Sequence, residues 1–321
     1  MEEILKVKKV NIQTAIEQVY SIDPDSRYTT VGIATCPLIR HRYSSPTSLL
    51  GEMSSNLPSV LIDLVVDIIG SEDAQQPKVM WPYYRDLMLA SGFIMPDFSV
   101  RGGAYIPSTN SSDMKSISLR FVNNKNVIVS TGMRADMTLL YEVGKVATAS
   151  FALIGKDTFL LDNAPTDTPI IEVSPAPLMD VSIMLGGLGG LFHTVTQFEI
   201  RLGNKVDVYR PCSDDDYQPV VNITGRRTTG SVSFLMPRSF GNSLVELAMT
   251  GKRTRIEVFF GNVDNERFKV VIPYAQLDMP EILDMPEIIG YRDKGLTMFN
   301  LKFNCDGFKD DAGLRIIWQY N

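Results

Sequence analysis

The chain has 321 residues, 44% of them hydrophobic, a length that fits about two domains with ample material for two cores. A formal net charge of −6 argues against a surface that grips nucleic-acid phosphate, although an acidic wall can pass DNA by repelling it. Cys36, Cys212 and Cys305 are odd in number and far apart, so they give neither metal spacing nor a disulfide framework and read as reduced thiols. The opening run MEEILKVKK lacks the apolar core of a signal peptide, and no apolar run reaches the ~20 residues of a membrane helix, so cytoplasmic synthesis without a membrane is expected.

Residues 1–28 begin with an apolar/basic alternation (Ile4, Val7, Val10), continue with an expected helix through Ala15 and Val19 and end in the turn SIDPDSRY. They read as a partly extended N-terminal arm that a neighbouring subunit ties down. TVGIATCPLIRHRY is strand-like, with Val31, Ile33 and Leu38 as inward candidates. Residues 44–59 form a long Ser/Pro loop, longer than ordinary connections. SVLIDLVVDIIGS is an apolar strand, and WPYYRDLMLASGF predicts a helix with Pro82 at its first position and Gly92 at its end. Residues 93–116 are irregular, and strands follow from Ile117 to Ile154, with Ile117, Leu119 and Phe121 on one face.

Asp and Pro cluster in KDTFLLDNAPTDTP, which marks a boundary. The expected organisation is an arm (1–28), a first domain (29–160), a linker (161–193) and a second domain (194–321). Val195, Phe198 and Ile200 against Val206 and Val208, with Gly203-Asn204 between, predict a hairpin. From Thr224 to Phe260 the chain reads strand, short helix, strand. Val232 and Phe234 alternate with Arg227, Ser231 and Ser233; Ser243 and Glu246 form a capping box; Leu244, Val245, Leu247 and Ala248 give one apolar face; Gly251 stops the helix. Ile256, Val258 and Phe260 then alternate with Arg255, Glu257 and Phe259. The tail GLRIIWQYN is expected to add an edge strand.

The strand–helix–strand layout occurs twice. Residues 59–121 match 224–260 in order of elements, and 123–155 match 264–304: a hairpin turn, a strand, an irregular stretch, a turn with Tyr, Lys and Gly, and a last apolar strand. The correspondence is one of pattern, with low identity.

Candidate chemical sites are sparse. His41 and His193 each stand without a spaced partner, and the bland reading as isolated imidazoles is favoured. Gly186 to Leu191, GGLGGL, lacks the spacing of a phosphate loop and reads as a hinge or a tight backbone crossing. Asp214, Asp215 and Asp216 resemble the start of a calcium loop without its Gly and distal Glu, so a solvated loop is favoured. The sequon at Asn222 is irrelevant without secretion, and no Gly-x-Ser-x-Gly elbow occurs. Arg226-Arg227, Lys252-Arg253 and Arg255 flank the second helix, either as a solvated face or as partners for acidic loops of a neighbouring subunit. No catalytic residue, metal or cofactor is assigned.

Three blocks together carry a family resemblance: QTAIEQVYSIDPDSRYTTVGIATCPL; LMLASGF with SISLRF and residues 127–155; and VVNITGRRTTGSVSFLMP with SLVELAMTG, TRIEVFFGN, FKVVIPYAQL and GLTMFNLKFN. With these the chain resembles the tail tube proteins of long-tailed bacteriophages, in the form that holds two tube domains per chain. The family's usual Gly after Tyr20 is missing, and GGLGGL departs from its pattern.

The resemblance implies a mainly β fold: two tandem β-sandwich or barrel-like domains, each with one short packed helix. It implies a structural virion protein, assembled in the host cytoplasm and resident in the tail, whose rings stack into a hollow tube that conducts DNA without specific binding. The partner is the chain itself, as a trimeric pseudo-hexameric ring, with a hexamer open if only one half lines the lumen; tape measure, tail-tip and terminator proteins follow as further partners. Contacts between subunits are expected at Ser44, Pro46, Leu49, Glu52, Asp214, Asp215, Asp216, Arg226, Arg227, Lys252 and Arg253. The alternatives are a single-ring tail-tip, distal or terminator protein of the same fold, a β-sandwich enzyme, and a sugar-binding module, for which Trp81 and Trp318 are too few and too distant.

Overall fold

The computed structural model describes residues 3–6, 11–24, 28–31, 38–42, 59–68, 70–71, 81–82, 84–94, 104–123, 126–161, 181–188, 191–209, 220–261, 268–283, 296–305 and 314–318. The protein is mainly β, with antiparallel sheets and two α-helices in these residues. The first half holds β1 (Glu3–Lys6), β2 (Asn11–Ile16), β3 (Thr29–Val31), β4 (Leu38–Arg42), β5 (Ser59–Asp67), the short β6 (Gly70–Ser71) and β7 (Trp81–Pro82), α1 (Arg85–Ala90), β8 (Phe93–Ile94), β9 (Ala104–Pro107), β10 (Ile117–Asn123), β11 (Asn126–Glu142), β12 (Thr148–Gly155) and β13 (Asp157–Leu161). The second holds β14 (Val181–Leu185), β15 (Leu191–His193), β16 (Val195–Arg201), β17 (Asn204–Tyr209), β18 (Val220–Arg226), β19 (Thr229–Pro237), α2 (Gly241–Met249), β20 (Thr254–Phe260), β21 (Phe268–Leu277), β22 (Glu281–Leu283), β23 (Leu296–Asn304) and β24 (Arg315–Trp318).

Both halves pair their strands in the same way. In the first, β3, β2, β10, the N-terminal part of β11 and β13 lie side by side; in the second, β15, β14, β20, β21 and β24 do. In each the central long strand then leaves this sheet through a bulge. Ile117 faces Met133 and Leu119 faces Ser130; Thr254 faces Ala275 and Ile256 faces Ile272. The extra residue bends the strand and re-aims its second part. In the first half Gly132, at φ +67°, takes the left-handed conformation that the bend requires.

Past the bulge the registers also coincide. Arg134 pairs with Ile154, which pairs with Leu61, which pairs with Arg40; Gln276 pairs with Asn304, which pairs with Thr229, which pairs with Arg201. The halves join because the C-terminal part of β11 pairs with β16, giving one antiparallel sheet ordered β1, β4, β5, β12, β11, β16, β19, β23. β22 and the end of β21 lie on the far side of β23. The repeat read from the sequence is therefore a repeat of pairing and register.

The alternation of apolar residues packs this long sheet against the two smaller ones. Phe151, Phe198, Phe234 and Leu301 from the long sheet and Ile12, Leu119, Ile183 and Phe260 from the smaller ones belong to one buried cluster that runs through both halves. Phe198 and Tyr141 meet Phe260 edge-on, each with ring centroids 5.6 Å apart, and Phe268 stacks on Phe260 at 4.3 Å. Tyr141 belongs to the first half and Phe260 to the second, so the two cores are fused.

Several local expectations are corrected. Residues 11–16, expected to lead into a helix through Ala15 within the arm, are instead the strand β2, paired on both sides by β10 and β3 in the first half's sheet, with the following Glu17 accepting from the Gly132 N–H. Helix α1 starts after Tyr84, and Trp81-Pro82 forms a bridge with Gly70-Ser71, so neither Pro82 nor Trp81 begins a helix. Gly92 does close α1, at φ +81°. In α2 the N-cap is Phe240, without a side-chain cap bond, and Ser243 lies inside the helix; the preceding 3-10 turn Arg238–Phe240 already supplies a helical entry. Gly251 stops the helix as read, at φ +61°. The hairpin expected across Gly203-Asn204 does not form, since β16 pairs with β11 and β19 while β17 pairs with β18. At φ +69°, with the Arg227 carbonyl oxygen 2.0 Å from where a β-carbon would stand, Gly203 turns a corner between sheets. β13 extends the first half to Leu161, and β14 and β15 occupy part of the expected linker. Finally, β24 is paired on both sides, by β21 and by β9 of the first half, so the tail is not an edge.

Candidate assembly edges

Among the described residues two strand pairings join the halves, β11 with β16 and β9 with β24, and the first of them continues the long sheet from one module into the next. Thr138 pairs with Arg201, Leu139 with Ile200, Leu140 with Glu199, Tyr141 with Phe198 and Glu142 with Gln197. The Leu202 N–H donates to the Met137 carbonyl at 2.8 Å and the Val143 N–H to the Thr196 carbonyl at 2.9 Å, extending the ladder at both ends. Asp136, 8% exposed, accepts from Arg201 Nε at 3.0 Å and from the Asn204 N–H at 2.8 Å.

A polar hub locks this joint. Asn204 donates through Nδ2 to the carbonyls of Ser91 (2.7 Å) and Ala135 (2.9 Å) and accepts from Arg226 Nε at 2.8 Å. Arg226 also donates to the Ser108 carbonyl at 3.0 Å. Hairpin β17–β18 of the second half is thus fastened to the C-terminal end of α1 and to the segment after β9. Tyr20 accepts from the Val221 N–H at 2.7 Å, and burial pushes its phenol up to about 12. Glu17, 5% exposed, accepts from the N–H groups of Ser21 (2.7 Å) and Gly132 (2.7 Å) and from the hydroxyls of Ser116 (2.6 Å) and Ser118 (2.7 Å). Four donors satisfy a buried carboxylate in this way.

Two edges end the long sheet. At one, β4 carries β1: Glu3 pairs with His41, Ile4 with Arg40, Leu5 with Ile39 and Lys6 with Leu38. At the other, Glu281 pairs with Asn300, Ile282 with Phe299 and Leu283 with Met298, and no strand among the described residues lies on β22's outer side. Lys302 and Asn300 bond the Glu281 carboxylate, and the Lys302 bond is the main cause that holds it below the usual carboxylate range. Met279 and Ile282 stand in solvent at this edge.

The sequence-predicted contacts divide sharply. Arg226 is committed within the chain, to Asn204 and Ser108, so it is not available to a neighbouring subunit. Arg227, Lys252 and Arg253 are exposed, and Arg255 pairs with Glu257 at 2.5 Å. Ser44, Pro46, Leu49, Glu52, Asp214, Asp215 and Asp216 lie outside the described residues, as do Ile33, Cys36 and Cys212. Gly186, in the GGLGGL run expected to form a hinge or a tight backbone crossing, continues the β14–β20 ladder, with its N–H on the Arg255 carbonyl at 2.7 Å. His41 lies on β4 and His193 on β15, and no three His, Cys, Asp or Glu side chains cluster for a metal among the described residues.

Sequence reasoning missed Glu17, the Asn204–Arg226 hub and the β22 edge. For the edge a signal was present: Glu3-Ile4-Leu5 recurs as Glu281-Ile282-Leu283. No protein-family model matches the chain, and no curated protein matches it in sequence.

Proposed function

We propose that this chain is the subunit of a hollow phage tail tube, built by rings that stack and conduct DNA passively. The observation that carries the reading is the shared register of the two halves together with their edge-to-edge joint. A module that adds to its own repeat through a strand edge, and leaves an equivalent edge uncovered at the far end, is suited to continuing the sheet into another copy. Such head-to-tail contacts close into a ring when the rotation divides a full turn. Two modules per chain favour three chains in a pseudo-sixfold ring. The acidic balance of the chain suits a wall over which DNA slides. Tape measure, tail-tip and terminator proteins are the partners this role requires.

Electron microscopy of the purified protein tests the reading. The expected result is hollow tubes, with three chains per ring by image averaging. Single rings that never stack would favour a tip or terminator role, and a monomer at every concentration and ionic strength, both with and without residues 1–7, would overturn the assembly reading altogether.

A further inference from the structure

We propose that β1 is a placeholder: it occupies on β4 the position that a second copy of this chain takes with its β22 edge on assembly. The inference rests on the assembly reading and deepens it by naming the two strands and their register.

Arg40 and Arg201 hold the same place in the two halves, because each is reached by the same chain of pairings from the bulge. On the outer side of Arg201 stands Thr138, and on the outer side of Arg40 stands Ile4. Hence Leu5 takes the place of Leu139, opposite Ile39 where Leu139 is opposite Ile200. β1 does for the first module what β11 does for the second.

The other end completes the series. Thr138 pairs with Ser150, whose equivalent, Asn300, pairs with Glu281. Glu281, Ile282 and Leu283 are therefore the second module's counterparts of Thr138, Leu139 and Leu140, with one extra residue accommodated before β22. Leu139 is 2% exposed within the joint, whereas Ile282 is 73% exposed. Carried onto a neighbouring copy, the register sets Glu281 opposite Arg40, Ile282 opposite Ile39 and Leu283 opposite Leu38. An acid then faces a base and aliphatic residues face aliphatic residues, pairings that favour an antiparallel contact. In this register Ile282 takes the position that Leu5 holds opposite Ile39, one aliphatic residue in place of another. β1 contributes four pairs and β11 five, and a strand that short is the easier one to displace.

Paired cysteines test this in full-length protein whose Cys36, Cys212 and Cys305 are replaced by serine. Leu5→Cys with Ile39→Cys, oxidised, fastens β1 to β4; the expected result is loss of assembly by at least tenfold in pelletable material, restored by reductant. Ile39→Cys with Ile282→Cys should instead give disulfide-linked multimers on gels of assembled material. If the fastened variant assembles as well as its reduced form while the parent forms tubes, the placeholder idea is overturned and the assembly reading stands. Absence of the Ile39–Ile282 crosslink in assembled tubes overturns the proposed register. Should the parent stay monomeric, the chain lacking residues 1–7 decides: gain of rings supports the proposal, and a persistent monomer overturns it together with the assembly reading.

Discussion

Glu17 is the residue on which the N-terminal segment depends. Its carboxylate is buried and holds four donors, two of them backbone N–H groups. Glu17→Ala leaves those donors unsatisfied and is expected to lower the unfolding free energy of the disassembled subunit by about 3 kcal/mol, read from urea titration; a loss within ordinary surface effects would show that water replaces the carboxylate. Tyr20 adds a pH dependence. Its folded value is about 12 against the ordinary 10.0, so the neutral phenol favours the fold. That contribution is complete below pH 10 and disappears as pH rises through 12. Tyr20→Phe should cost about 1 kcal/mol at neutral pH through the lost Val221 bond, and should flatten the fall in stability between pH 10 and 12. An unchanged slope in that window would remove Tyr20 from the account.

At the scale of elements, α2 separates a signal that was used from one that was not. Ser243 is exposed inside the helix and caps nothing, so Ser243→Ala is expected to leave stability within about 0.5 kcal/mol, measured by thermal melting. Gly251 has open space around its missing β-carbon, so Gly251→Ala isolates the cost of φ +61°, about 1 kcal/mol. Equal melting points for both variants would contradict this assignment. The same lesson appears at Gly203. Its sequence, Gly-Asn between alternating apolar runs, is the ordinary signature of a two-residue hairpin, yet β16 finds better partners in β11 and β19. Local turn chemistry decided where the chain bends, and long-range pairing decided what the bend connects.

For the whole molecule, the proposed function rests on the edges of the long sheet. Ile282→Lys places a charge on the uncovered edge, a device that natural sheets use against edge pairing, and is expected to reduce tube formation at least tenfold in a sedimentation assay with the monomer's melting temperature unchanged. Full assembly of this variant would place the contact elsewhere. Lys302 and Glu281 bond each other in solvent, and their pairing is expected to matter little to the isolated chain.

The sequence by itself determined the buried faces of the central strands and where the helices stop, because side-chain period and glycine stops act within a few residues: Ile117, Leu119 and Phe121, or Ile256, Val258 and Phe260, announce their faces without reference to the rest of the chain. It also set the order of elements, which is why the duplication was legible at low identity. Only the tertiary structure decided that β11 joins β16, that Arg226 turns inward to Asn204, that Glu17 anchors the first segment and that β1 lies on β4. Each of those pairs residues that are distant along the chain, and the free energy that selects them comes from burial and from satisfying polar groups in three dimensions, which no local pattern encodes.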